Sequence, residues 1–222
     1  MLYPFAMHID HDWLALQNEA DVEIKVIVPL LQGPAYLDIP ESCVKPKSYL
    51  APTPFNRKAG MTSGGYPDFS VWFHSFPCLI VEAKPPEVPA EVGYHEAQLY
   101  AANRNQNYPS GINPAHFVFS TNGVDFLGGC WDCKPLVSGL VDALRPQSSA
   151  MVELQRLCGR QALESHALLC LAGSKSKRFL LPYNLAGGAG SSPGERESQP
   201  LRSSIGAPFG AIFLLFQAVK HP

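Results

Sequence analysis

Charge is scarce in this 222-residue chain: Asp, Glu, Lys and Arg make up 16 % of it, and 17 basic against 19 acidic residues leave a formal charge of −2. A protein that grips nucleic acid tightly by itself carries a broad basic footprint, so the balance argues against tight autonomous binding. It leaves room for local phosphate contacts, for which Lys45, Lys47, Arg57, Lys58 and Arg104 are the candidate cations. Long apolar runs are also missing. The stretch Phe209 to Phe216 is well short of the roughly 20 residues that a membrane helix needs, and no membrane partner is expected. The N-terminus has no basic segment leading into an apolar core, so no secretory signal is read and a cytoplasmic location follows. Cys130-Trp131-Asp132-Cys133 has the spacing of a zinc half-site, but the six cysteines supply no second pair and the seven histidines no ligand-spaced pair. Zinc needs four ligands, so these two are expected as reduced thiols in a hairpin, with His95 and His116 structural or on the surface. A nucleotide-driven motor is absent as well: Gly173-Ser174-Lys175-Ser176 lacks the Gly-Lys-Ser/Thr junction and the upstream glycine of a phosphate loop.

What is present is apolar and loop-rich: 46 % hydrophobic residues, enough for a packed core, with 21 prolines and 18 glycines. The most informative stretch is Gly65-Tyr66-Pro67-Asp68, followed by Val81-Glu82-Ala83-Lys84. Between them lie Phe69 to His74, rich in β-formers, and Pro77 to Val81, a near-continuous apolar run that suits a strand buried on both faces. With a short Ser75-Phe76-Pro77 link the two runs read as a hairpin. The hairpin brings Asp68, at the start of one strand, beside Glu82 and Lys84 at the end of the other. Two residues apart, Glu82 and Lys84 leave the same face of their strand, while Ala83 points the other way. Pro85-Pro86 then ends the strand, since neither proline can donate to a ladder. Two carboxylates so placed can hold a hard divalent cation through oxygen, and a lysine beside them can position water and offset charge growing on a phosphate. An Asp after Pro, then Glu-x-Lys after an apolar strand, is the PD-(D/E)xK nuclease pattern.

Three further segments extend the resemblance. Asn18 to Leu31 reads as an acidic-headed amphipathic helix, Glu96-Ala97-Gln98-Leu99-Tyr100-Ala101 as a Gln-Ala-x-x-Tyr-Ala-like helix, and His116 to Gly123 as a strand running into a Thr-Asn-Gly turn. In this order they resemble the N-terminal nuclease domain of type I restriction enzyme R (HsdR-type) subunits over about residues 16 to 130. That resemblance implies a DNA endonuclease using Mg²⁺, with Mn²⁺ able to substitute. Asp68, Glu82 and the Ala83 carbonyl would be metal ligands, and Lys84 would position the attacking water. A first-helix carboxylate, Glu19 or Glu23, would complete the site; the Asn-Glu-Ala segment favours Glu19, and the two share a helix face. Glu96 and Tyr100 would lie near the substrate, although Glu96 stands where the family has Gln and cannot donate an amide proton. Partners would be DNA and the specificity, methyltransferase or motor subunits of a restriction-modification system. The rival reading is a non-catalytic DNA-binding or assembly module that retains the fold.

The elements read in order give an α/β class: a restriction-endonuclease-like αβββαβ core, its mixed central sheet flanked by helices. A helix over 12–32 is followed by a short strand and loop, strands at 68–74 and 78–84, a helix over 91–105, and strands at 115–120 and 124–131. Residues 1–135 form the nuclease-like domain. Residues 136–180 form a helical extension with helices from Met151 to Leu157 and Gln161 to Leu171, and 181–222 a low-complexity tail expected to be disordered.

Overall fold

The computed structural model describes residue 9, residues 16–51 and residues 64–178. Arg57, Lys58, the expected helical residues 12–15 and the tail over 181–222 lie outside the described residues.

The first helix, α1, starts at Glu19 rather than at residue 12. Asn18 caps it by accepting the Asp21 N–H at 3.0 Å. It runs as an α-helical turn (Glu19–Val22), a wider π-helical turn (Glu23–Ile27) and a last α-helical stretch (Val28–Gln32) that ends at Gly33. The widened turn lies directly before Pro29, which has no N–H and whose ring crowds the carbonyl one turn back. Val22, Val26, Ile27, Leu30 and Leu31 form its buried side.

Six strands follow: β1 (Val44–Pro46), β2 (Phe69–Phe73), β3 (Phe76–Ala83), β4 (Phe117–Thr121), β5 (Asp125–Cys130) and β6 (Val137–Leu140). They form one sheet in sequential order, with β3 and β4 parallel and every other pair antiparallel. The parallel step needs a crossover, supplied by α2 (Ala90–Asn105). The β2–β3 hairpin is tighter than the sequence suggests. Phe73 pairs with Phe76, so the turn is His74-Ser75, both at positive φ (49° and 69°), and Phe76 and Pro77 already belong to the strand. Such a pair of left-handed residues matches the strand twist. The register slips between Val71 and Trp72, opposite Pro77, where the ladder lacks a donor.

Alternation then sorts the two faces. Phe69, Val71 and Phe73 of β2, with Leu79, Val81 and Ala83 of β3, pack into the larger core against α1. Two further helices, α3 (Ser149–Cys158) and α4 (Arg160–Arg178), bury Met151, Leu154, Cys158, Leu163 and Ala167 in that same core. The segment expected as a helical extension thus contributes strand β6 and a layer of the main fold. On the opposite face α2 lays Ala90, Tyr94, Ala97 and Ala101 over Ile80, Val118 and Leu127. Its small side chains bring it close to the sheet. At Gly93 a Cβ would lie 2.3 Å from Ser120 Oγ and 3.1 Å from Lys84 Cγ, so a larger residue there would press α2 away from β4 and crowd Lys84. Among the described residues no helix is long and apolar enough to cross a membrane.

The loop between Lys84 and α2 is tied down by the Thr-Asn-Gly turn. Asn122 donates to the carbonyls of Val88 (2.9 Å) and Pro86 (3.4 Å), and its Oδ1 accepts from Val124 N (3.0 Å) and Asp125 N (2.8 Å). Asn122→Ala should lower stability by about 2–3 kcal/mol, because it removes four hydrogen bonds to part-buried backbone groups at once. Calorimetry should show a Tm fall of roughly 4–12 °C; a fall within error would show that the loop is held by other means.

Candidate metal and catalytic centre

The β2–β3 register puts Asp68 just before β2, one residue beyond the point where Phe69 pairs with Val81, and therefore beside Glu82 and Ala83. Asp68 is 4 % exposed and Glu82 3 %. Asp68 uses both its backbone and its side chain. Its N–H donates to Glu82 Oε1 at 3.2 Å, its Oδ2 accepts the Ala83 N–H at 2.7 Å, and its carbonyl accepts the Lys47 N–H at 2.9 Å. Ala83 thus meets Asp68 through its amide.

The first helix delivers two more carboxylates. Oxygens of Glu19, Glu23 and Asp68 all lie within 4.8 Å of one another, the one such trio among the described residues able to share a metal ion. Both first-helix candidates, Glu19 and Glu23, thus lie beside Asp68. Into this trio reaches Lys47, a residue just past β1 held at a left-handed φ of 45°. Its Nζ is 2.5 Å from Asp68 Oδ1, 2.7 Å from Glu23 Oε1 and 4.0 Å from Glu19 Oε1. The sequence gives Lys47 only as one of several cations for phosphate contact. Its insertion among the carboxylates depends on β1 pairing with β2 across a long connection, which local pattern does not reveal.

Lys84 completes the network from the other side. Its ammonium lies 3.7 Å from Glu82 Oε2 and 2.7 Å from Glu96 Oε2, with the side chain 14 % exposed. Glu96 and Tyr100 sit one turn apart on α2, and Tyr100, half-buried, lies against Gly65. The structure therefore brings together Asp68, Glu82, Lys84, Glu19, Glu23 and Glu96, with Tyr100 at the margin.

Electrostatics follow from this crowding. Burial, reinforced by the negative Asp68, pushes the Glu82 carboxyl up to about 9, so Glu82 keeps its proton at neutral pH. Burial and Asp68 also raise Glu19. Burial works against the charge on Lys47, yet its hydrogen bonds to Asp68 and Glu23 outweigh it and raise its pKa. For Lys84 the same contest ends the same way, through Glu96 and then Glu82. Burial, with Glu82 and Glu96 adding to it, raises the Tyr100 hydroxyl, so Tyr100 stays a neutral donor. The set can hold a hard cation by carboxylate oxygen and keep two ammonium groups at its edge.

The cysteines are free thiols. Cys130 Sγ lies 3.5 Å from His116 Nε2, and His116 stacks on His166 at 5.0 Å, but these groups do not converge on one ion. Family models, curated proteins and solved structures yield no match to this chain.

The Glu82 proton has a thermodynamic consequence. The folded chain holds it while the unfolded chain releases it above pH 4.5, so stability falls as pH rises from 4.5 toward about 9 and then levels. Glu82→Gln removes that penalty. In chelator-containing buffer its Tm should exceed wild type by at least ~2 °C at pH 8, and the margin should vanish near pH 5. An equal margin at both pH values would trace the effect to packing instead.

Proposed function

We propose that this chain is a metal-dependent DNA endonuclease of the PD-(D/E)xK type, serving a restriction-modification type system. The observation that carries this reading is the convergence of Asp68 and Glu82, both buried, with Lys84 at one end of the β2–β3 pair. Two carboxylates from a separate helix meet them there. Folding does not require such a grouping, since burying like charges costs stability unless something compensates.

The residues fit a hard divalent cation, Mg²⁺ or Mn²⁺: the donors are carboxylate oxygens, and Lys47 already brings positive charge into the same trio. Asp68 would hold it with Glu19 and Glu23, and Glu82 from the adjoining side. When bound, the cation neutralises phosphate charge and makes a water more acidic. Lys84, kept charged by its hydrogen bond to Glu96, orients that water and meets the charge growing on the phosphate. Water attacks phosphorus and the 3′ oxygen departs, leaving a 5′-phosphate and a 3′-hydroxyl. A cation bound by the same carboxylates would compete with Lys47, which now pairs with Asp68 and Glu23. Sequence choice and translocation belong to other subunits, since no recognition module or motor motif is present in these residues.

A second reading, a non-catalytic DNA-binding or assembly module, is favoured by the two lysines being fully engaged, Lys47 with Asp68 and Glu23 and Lys84 with Glu96. Plasmid cleavage separates the two. Wild type should nick or linearise DNA in Mg²⁺ or Mn²⁺, and Asp68→Ala and Lys84→Ala should each lose at least ~100-fold in rate. Cleavage surviving both substitutions would remove the site assignment. A folded wild type that binds DNA with these metals and never cuts it, alone or with partner subunits, would favour the module.

A further inference from the structure

The same face of the sheet carries two features that the carboxylate centre does not use. On one side, Trp72 follows Asp68 and Ser70 on the α2 face of β2, roughly 13 Å along the strand from Asp68 at about 3.3 Å per residue. Lys45 Nζ sits 4.1 Å over its ring centroid and Arg104 Cζ 5.3 Å from it. The indole is fixed by Nε1–H donating to Ser70 Oγ at 2.9 Å, and Arg104 by Nη2 donating to Ser48 Oγ at 3.3 Å. Neither cation has a carboxylate within ion-pair distance among the described residues, and Arg104 Nε is buried without an acceptor. Two cations held in place without anions are a receptor for an anion. Arg104 reaches this point because Glu96, Tyr100 and Arg104 follow one another at four-residue spacing along α2, which carries this side of the helix from the carboxylates to Trp72.

On the other side of the carboxylates the pairing continues. Lys45 lies opposite Ser70, Lys47 bonds to Asp68, and beyond them Leu50 bridges Gly65. Between these last points Tyr49 and Tyr66 pair at 5.2 Å between ring centroids, each more than half exposed (53 % and 56 %). Aromatic faces left open to water beside an anion receptor suit nucleobases, and they can meet a base only where it has left a duplex stack.

We propose that an unpaired nucleic-acid strand crosses this face, its phosphodiester backbone held by Lys45 and Arg104 and a base stacked on Tyr49–Tyr66, with the carboxylate centre between. Trp72 is a positioning residue whose ring lies within cation–π distance of both Lys45 and Arg104. The point of cutting rests on the nuclease reading; the strand path does not. The substrate is therefore single-stranded or frayed DNA, and intact duplex is bound less well.

Fluorescence anisotropy on the full chain in EDTA, where no cutting occurs, tests the path with a labelled oligonucleotide alone and annealed to its complement. The single strand should bind at least ~10-fold tighter than the duplex, in line with stacking by two aromatic rings. Lys45→Ala/Arg104→Ala should reduce the slope of log Kd against log salt by about 1.4, two phosphate contacts on a single strand. Tyr49→Ala/Tyr66→Ala should weaken single-strand binding by about 10-fold with the slope unchanged. Lys45→Arg and Tyr49→Phe/Tyr66→Phe should retain wild-type values, which separates these effects from misfolding. An unchanged slope in the cation variant, or duplex bound as tightly as single strand, would overturn the proposal. Strand binding with these signatures in a protein that never cuts would sink the nuclease reading and leave the path standing. Cutting with an unaltered slope would do the reverse.

Discussion

Everything at the candidate centre depends on how Asp68 is held. One residue links three segments that are distant in sequence: its carboxylate accepts the Ala83 amide at the end of β3, its N–H reaches Glu82, and its carbonyl takes the Lys47 amide beyond β1. Its remaining oxygen meets the Lys47 ammonium and, through it, Glu23 of α1. A buried carboxylate is tolerable only when it has hydrogen-bond donors, and here the donors are the Ala83 amide of β3 and the Lys47 ammonium. Fixing Asp68 therefore fixes the ends of three strands and the approach of the first helix.

The rest of the fold makes that arrangement rigid. The large core behind β2 and β3 is filled from α1, α3 and α4, so the strands cannot shift without disturbing packed side chains. On the other face, Gly93 lets α2 lie against β4 and lets Lys84 pass beneath it toward Glu82 and Glu96. Asn122 holds the loop that joins the two. The arrangement carries a cost that grows with pH, because Glu82 is held in its protonated form by burial and by Asp68. Ionisable groups held away from their ordinary protonation state cluster at functional sites, and Glu82 is one such group.

How much of this is legible in the sequence varies with the range of the interaction. The period of two in a strand places Glu82 and Lys84 on one face, and the apolar runs on either side of a short turn bring Asp68 to them; these are local inferences, and in the fold the residues do lie together. The α/β class, with a mixed sheet flanked by helices, is read from the same runs. The turn itself is missed by two residues, because His74 and Ser75 adopt positive φ without a glycine to signal it. Strand β6 is missed because Val137–Leu140 is short and mostly exposed, with no alternation to read. The docking of α3 and α4 into the main core is likewise hidden, since an amphipathic helix does not say which surface it covers. Lys47 is the functional group that local reading places least well: its role follows from pairing between β1 and β2, more than twenty residues apart.

The central claim is that Glu19, Glu23, Asp68 and Glu82 make one cation centre in which Lys47 stands while no metal is bound. Titrating the purified protein with Mn²⁺, followed by the loss of the free-ion electron paramagnetic resonance signal, tests it directly. Wild type should take up one Mn²⁺ per chain, Asp68→Asn should lose that uptake, and Lys47→Ala should bind at least ~10-fold more tightly, since a competing charge has gone. Uptake that is unchanged in Asp68→Asn, or absent from wild type and Lys47→Ala alike, would contradict it.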